Sequence, residues 1–287
     1  MCENALVVNG LTKNYHDFTL DNVSFTVPGG SIVGLIGENG AGKSTTINAI
    51  LGLIHKDGGS VEILGQTDET MDNQTRSQIG VVFDGDNFTD MLTPGKLNRI
   101  FRDIYPQWDE RRYFSLLEKM SLPADKKIGK FSKGMKMKLS IAAAFCHQSR
   151  LLILDEATSG LDPVVRDDIL DMFLDFVQDE DHSILVSSHI TSDLEKAADY
   201  IVFIHEGRVI FSKTKDELRY KYGIIRCGAA QFDAIDKDEI IAWRKQDYEW
   251  EVLVADREAA RRKYPKAVID PATIDEIMLL YVKGEGK

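Results

Sequence analysis

Gly37-Glu38-Asn39-Gly40-Ala41-Gly42-Lys43-Ser44-Thr45 sets glycines, a lysine and hydroxyl residues in the spacing G-x-x-x-x-G-K-[ST]. Glycines let such a run curl until successive N–H groups point inward, where phosphate oxygens can accept from them. A helix starting directly behind adds its positive N-terminal end to the same place. The chemistry this suits is the holding of a nucleoside triphosphate by Gly37, Asn39, Gly40, Ala41, Gly42, Lys43, Ser44 and Thr45. Lys43 would reach the outer phosphates, and the Ser44 hydroxyl would ligate Mg²⁺. A glycine-rich turn with no ligand is the plainer alternative. The flanks favour the cradle, because Ile32–Ile36 reads as a buried strand and Thr45–Leu51 as a helix.

A second constellation lies in Leu151-Leu152-Ile153-Leu154-Asp155-Glu156, an apolar strand ending in two carboxylates. Asp155 at the strand tip suits the Mg²⁺ shell opposite Ser44, and Glu156 suits a general base on an attacking water. Alone, such a strand end is an ordinary loop start. Beside a phosphate cradle it gains a function.

These side chains need a rigid frame. Short apolar runs at Ile32–Ile36, Ile79–Phe83, Leu151–Leu154, Ile184–Ser187 and Tyr200–Ile204 alternate with helical stretches. Continuous apolar strands between helices predict a parallel sheet covered on both faces. Ala5–Val8, Val23–Val27 and Ser60–Leu64 sit among turn residues and predict antiparallel strands. Between Asp84 and Arg150 the strand signals stop, and Tyr113–Met120 and Gly134–His147 read as helices of an insertion. Lys213–Leu218 reads as a connecting helix. A small α/β appendage follows from about residue 223. Its last helix is expected to start at Asp270-Pro271, with Thr273 and Glu276 at capping-box spacing and Ile274, Ile277, Met278 and Tyr281 on one face.

Further motifs follow the cradle in a particular order. Phe131-Ser132-Lys133-Gly134-Met135 precedes the carboxylate pair, Ser159-Gly160-Leu161-Asp162 follows it, and Val186-Ser187-Ser188-His189 comes later. Over roughly residues 4–212 the chain resembles the ATP-binding subunits of ABC transporters. The fold this implies is α/β: a P-loop NTPase (RecA-like) core with an antiparallel β subdomain, an inserted α-helical subdomain at about 84–150, and a C-terminal appendage. The implied division is an ATPase domain at 1–212 and an accessory domain at 213–287.

The resemblance assigns roles residue by residue. Ser132 and Gly134 stand in the family's signature loop, usually LSGGQ, which meets ATP held by a second protomer. A hydroxyl and a glycine before a helix suit that task, although an ordinary helix cap would look the same. Ser159-Gly160-Leu161-Asp162 resembles the loop that crosses the dimer seam. His189 resembles the switch histidine that would contact the γ-phosphate and hold Glu156 and water in line. Tyr15, in Leu11-Thr12-Lys13-Asn14-Tyr15, resembles the adenine-stacking aromatic.

Two departures stand out. Lys133 replaces a signature glycine and Met135 its glutamine. Asp84 follows Ile79–Phe83 where the family usually has a Gln touching Mg²⁺ and water. Asp84 could ligate the metal, or merely cap its loop. Lys126, Lys127, Lys130, Lys133, Lys136 and Lys138 either favour phosphate or form a solvated face. Trp108 is expected to pack locally.

Composition bounds the rest. The 287 residues suit about two domains. With 43% hydrophobic and 28% charged residues, the chain is neither disordered nor collagen-like. A net charge of −11 disfavours a broad nucleic-acid grip. Cys2, Cys146 and Cys227 form no CxxC and fit reduced thiols in a cytoplasm. The best apolar runs, Ile141–Cys146 and Ile277–Val282, are too short to cross a bilayer, and Met1-Cys2-Glu3-Asn4 carries no secretory signal.

The expectation is therefore an ATPase that pairs head to tail around two ATP molecules with Mg²⁺. Its partner would be a separate polytopic membrane subunit, as two copies or two related subunits. The ATPase would lie on the cytoplasmic face of the membrane, with no nucleic acid involved. The form Phe-Ser-Lys-Gly-Met-Lys resembles exporter ATPases of Gram-positive bacteria acting on antibiotics or amphipathic peptides. The alternatives are a soluble ABC-type ATPase acting on ribosomes or DNA, and a regulatory nucleotide-binding module with weak hydrolysis.

Overall fold

A computed structural model describes residues 4–85, 87–247 and 249–286. The expectations for Met1, Cys2 and Glu3 lie outside the described residues.

The chain opens on β1 (Asn4–Asn14) and β2 (Thr19–Pro28), an antiparallel pair. It enters β3 (Ile32–Ile36), turns through the glycine loop into α1 (Lys43–Ile50), and returns as β4 (Gly58–Ile63) and β5 (Gln66–Thr67). These build a four-stranded sheet in the order β2-β1-β4-β5. Next come α2 (Asn73–Arg76) and β6 (Ile79–Val82). The insertion supplies α3 (Pro94–Ile104), α4 (Glu110–Lys119) and α5 (Lys133–Phe145). In it Trp108 packs locally, donating to Asn98 Oδ1 at 2.8 Å and meeting Phe101 and Tyr113 ring to ring.

Then follow β7 (Leu151–Asp155), α6 (Pro163–Phe176), β8 (Ser183–Ser188), α7 (Thr191–Ala197), β9 (Tyr200–His205) and β10 (Arg208–Thr214). The central sheet runs β10-β9-β3-β8-β7-β6, with β10 antiparallel to β9 and the others parallel. Period-two alternation sorts its side chains. Ile32, Ile36, Leu152, Leu154, Ile184 and Val186 join the cluster with the helices, while Val33, Leu35, Leu151, Ile153 and Leu185 join the one under the antiparallel sheet. Both faces are covered, which explains the unbroken apolar runs.

Register decides the site. Ile36 pairs with Ser188, and Asp155 with Ser187. The cradle after β3, the carboxylates ending β7 and the histidine after β8 therefore share one edge, at the carboxyl ends of adjacent parallel strands.

The C-terminal part contains β11 (Gly223–Cys227), α8 (Ala229–Phe232), β12 (Ile240–Gln246), β13 (Glu249–Val254), α9 (Arg257–Lys263), β14 (Val268–Pro271), α10 (Ile274–Lys283) and β15 (Glu285–Gly286). Its five-stranded antiparallel sheet runs β14-β11-β13-β12-β15. Thr273 and Glu276 form the expected reciprocal cap on α10. Buried Ile274, Ile277 and Leu280 pack into the helix-side cluster with Phe203 and Phe211, and Met278 and Tyr281 are half-buried against it.

Two local expectations need correction. Lys213–Leu218 is helical only in its second part: β10 continues pairing with β9 through Lys213 and Thr214, past residue 212, and a helical turn follows over residues 215–221, π-helical at Glu217–Lys221. Asp270-Pro271 ends β14 rather than starting α10, because Asp270 and Pro271 pair with Ile224 and Gly223. Proline at a strand end loses no ladder bond that matters there.

Candidate active site

The cradle is shaped by what cannot be added to it. A Cβ on Gly37 would lie 2.3 Å from the backbone oxygen of Ile204. Gly42 has φ 113° and caps α1 with no side-chain bond, leaving the first-turn amides of α1 to another acceptor. The Phe18 ring lies against Gly42, within 2.9 Å of where a Cβ would stand.

Lys43, 5% exposed, bends back over this loop. Its Nζ donates to the Gly37 carbonyl at 2.8 Å and the Glu38 carbonyl at 3.2 Å, and lies 3.2 Å from Glu156 Oε1. Ser44 and Asn39 are exposed, Thr45 is half-buried, and Ala41 is buried.

Behind Lys43, buried Ser187 ties the two carboxylates together. Its hydroxyl donates to Asp155 Oδ1 at 2.6 Å and accepts from the Glu156 amide at 3.0 Å. The same amide donates to the Ser187 carbonyl at 3.2 Å. This grip holds Glu156 at φ 52°, a left-handed conformation costing an L residue about 1 kcal/mol or more. The carboxylate is thereby presented between two groups, because His189 Nδ1 lies 2.7 Å from its Oε2. A cation, a carboxylate and an imidazole from three loops thus form one chain of contacts.

The other expected residues lie elsewhere. Ser132 caps α5, accepting from the Met135 amide at 3.2 Å, and Gly134 faces Val165. Tyr15, 47% exposed, lies between β1 and β2 with Lys13 Nζ 5.6 Å from its ring centre. Asp162 caps α6 through the Val165 amide at 3.0 Å. Asp84 Oδ1 pairs with Lys133 Nζ at 3.0 Å. Lys138 meets Asp168 and Lys136 meets Asp90, while Lys126 lies over the Phe131 ring.

Sequence reading missed three contributors. Ser187 reads as one more strand residue. Phe18 carries no motif. Buried Asp193 lies 3.8 Å from Arg166, whose guanidinium also donates to the Leu161 carbonyl at 3.3 Å, bracing the turn before α6. Burial pushes the Asp193 carboxyl above the ordinary carboxylate range.

Among the described residues no group of three or more His, Cys, Asp or Glu could hold a metal alone. The donor set fits Mg²⁺ nonetheless. That ion takes one or two protein oxygens and completes its shell with phosphate and water, and the exposed hydroxyl of Ser44 after β3 and the fixed carboxylate of Asp155 ending β7, at the same edge of the sheet, are oxygens of that kind.

Comparison with known proteins identifies the family. Residues 20–159 match the family model described as ABC transporter. The chain is similar to the bacitracin transport ATP-binding protein BcrA of Bacillus licheniformis, with 35% identity over 212 residues, 73% of this chain and 69% of that protein. It is similar to the lantibiotic transport ATP-binding protein SrtF of Streptococcus pyogenes, with 35% identity over 214 residues, 74% of this chain and 91% of that one. A solved structure of the ATP-binding subunit of an ABC transporter is 33% identical, with a TM-score of 0.66, covering 75% of this chain and 92% of that chain. The chain belongs to the ABC transporter family as an ATP-binding subunit, and the reaction it carries out is ATP hydrolysis.

Proposed function

We propose that two copies, or this chain and a related one, close head to tail around two ATP molecules to drive export of a peptide or antibiotic. The observation that carries the reading is the position of Glu156 between Lys43 and His189 at the strand ends. Incoming phosphates draw Lys43 away from the loop carbonyls and from Glu156. With Lys43 drawn away, Glu156 Oε1 is free to accept a proton from the attacking water. His189, donating through Nδ1 to Glu156, keeps that carboxylate aimed and has its second ring nitrogen for the γ-phosphate. Ser44 and Asp155 would hold Mg²⁺, which would supply neutralising charge at the phosphates, while the Asp84 carboxylate is engaged by Lys133.

Gly37, Asn39, Gly40, Ala41, Gly42 and Thr45 complete the cradle, and the exposed Tyr15 ring offers a face for adenine. Ser132 and Gly134, at the start of α5, complete the partner's site. ATP then joins the protomers, and replacing it by separated products loosens them.

Among the described residues no helix is long and apolar enough to cross a membrane. The membrane-spanning work falls to separate polytopic subunits, with this chain peripheral on the cytoplasmic face. A cavity of about 480 Å³ lined by Leu53, Met71, Ile79 and Phe83, just before Asp84, suits a segment of such a subunit. Residues up to about 212 would form the ATPase part, with the helical insertion at about 84–150, and 213–287 an accessory part. Export follows from the signature form and from relatives named for bacitracin and lantibiotic transport.

Light scattering tests the pairing. Glu156→Gln with ATP is expected to double the 32.3 kDa mass, and adding Ser132→Arg to abolish that doubling. A Glu156→Gln chain that keeps ATP but stays single overturns the head-to-tail reading. Cargo uptake instead of efflux by inside-out vesicles carrying the partner and ATP supports export; cargo leaving them contradicts it.

A further inference from the structure

The two charged departures from the family pattern touch each other. Asp84, just past the end of β6, and Lys133, the first residue of α5, lie 3.0 Å apart. One replaces a neutral glutamine and the other a neutral glycine, so together they add no net charge.

Each is unfavourable alone. A lysine in the first helical turn has the wrong sign for the positive end of the helix dipole. A bare carboxylate just past β6, on the same edge of the sheet that carries the cradle, adds negative charge where phosphates must be attracted. Paired, each corrects the other. Their side chains are 46% and 48% exposed, so the pair adds little to folding. Something other than stability is needed to account for it.

Lys133 reaches a third segment. Its Nζ would lie 3.2 Å from a Cβ on Gly160, whose φ of 67° sets the turn after the catalytic carboxylates. One ammonium, carried by the residue after Ser132, therefore pairs with the end of a core strand and lies close to the turn at Gly160. It spans the seam between the sheet and the helical insertion.

We propose that Asp84 and Lys133 are a positioning pair for ATP hydrolysis. Lys133 masks the Asp84 charge from incoming phosphate, and Asp84 fixes the turn carrying Ser132. This rests on the reading that Ser132 meets the ATP of a second protomer. Losing Lys133 leaves a bare carboxylate and weakens ATP capture. Losing Asp84 frees the ammonium to seize the γ-phosphate out of line and slows turnover.

Steady-state hydrolysis by the purified full chain tests this, with Mg²⁺ and ATP as probe. Lys133→Gln is expected to raise KM about tenfold with a smaller fall in kcat, and Asp84→Asn to lower kcat about fivefold with little change in KM. The Asp84→Asn/Lys133→Gln double variant is expected to return to within about threefold of the parent in both constants. Melting temperatures should agree within about 2 °C, since the pair is exposed. Additive losses overturn the pair, as does a double variant no better than Asp84→Asn, which would leave Asp84 a metal ligand only. Single variants matching the parent overturn it too. A parent without turnover, or Glu156→Gln with full turnover, sinks the underlying reading and the pair with it. A normal parent with a dead Glu156→Gln and additive single variants sinks the pair alone.

Discussion

His189 Nδ1 lies 2.7 Å from Glu156 Oε2, a bond joining the loops after β8 and β7 across the edge of the sheet. Because the imidazole is half-exposed while the carboxylate is mostly covered, the histidine is the movable member. Replacing it should leave the cradle intact. His189→Ala is expected to slow phosphate release about 10- to 100-fold while ATP retention changes little. Equal loss of retention in a filter-binding assay would place His189 in the cradle rather than beside the base.

Ser187 holds both carboxylates from below. Ser187→Ala removes the donor to Asp155 Oδ1 and one acceptor of the Glu156 amide, in a fully buried site. A loss of about 1–3 kcal/mol in urea unfolding is expected, together with slower turnover. A variant with unchanged stability and rate would show that this hydroxyl holds nothing.

Neighbouring glycines should respond differently to one methyl group. Gly37→Ala drives a Cβ to 2.3 Å from a backbone oxygen, which only a shift of β9 or the loop could relieve. Gly40→Ala meets open space and faces only the strain of φ 84°. Gly37→Ala is expected to lose ATP retention outright, while Gly40→Ala loses about 1–2 kcal/mol of stability. ATP titration of both variants distinguishes them, and equal behaviour would contradict the cradle geometry.

The difference between these residues and others also marks what sequence could say. Gly37 to Ser44 announce themselves because neighbouring residues do the work and their spacing records it. Asp155 was readable because an apolar strand runs straight into it, and His189 because its place in the motif order resembles the family's switch histidine. Ser187 was visible as a letter but not as a role, since only the register of β8 against β7 aims its hydroxyl at Asp155. Asp84 and Lys133 looked like separate blemishes. Their pairing depends on how α5 packs over β6, which no local pattern encodes. Lys213–Leu218 was misread for a similar reason: pairing with β9 decided its first residues, and propensity did not.

Away from the site, His147 gives stability a pH dependence. Burial against Tyr105 lowers its pKa below the ordinary 6.5, so the folded chain holds it neutral. The unfolded chain binds more protons as pH falls below the unfolded value. The contribution of His147 is therefore full above that value and is lost as pH falls through the lowered folded one. The urea midpoint of the parent should drop more steeply than that of His147→Gln below about pH 6.5. Parallel curves for the two would remove His147 as the cause.

The most direct measurement compares the parent with Glu156→Gln for ATP retention and phosphate release in one preparation. The parent should hold ATP and release phosphate. Glu156→Gln should hold ATP at least as well and release phosphate at least about 100-fold more slowly, because Lys43 and the cradle remain while the base is gone. Release at the parental rate from Glu156→Gln would contradict the assignment of Glu156 between Lys43 and His189 as the catalytic base.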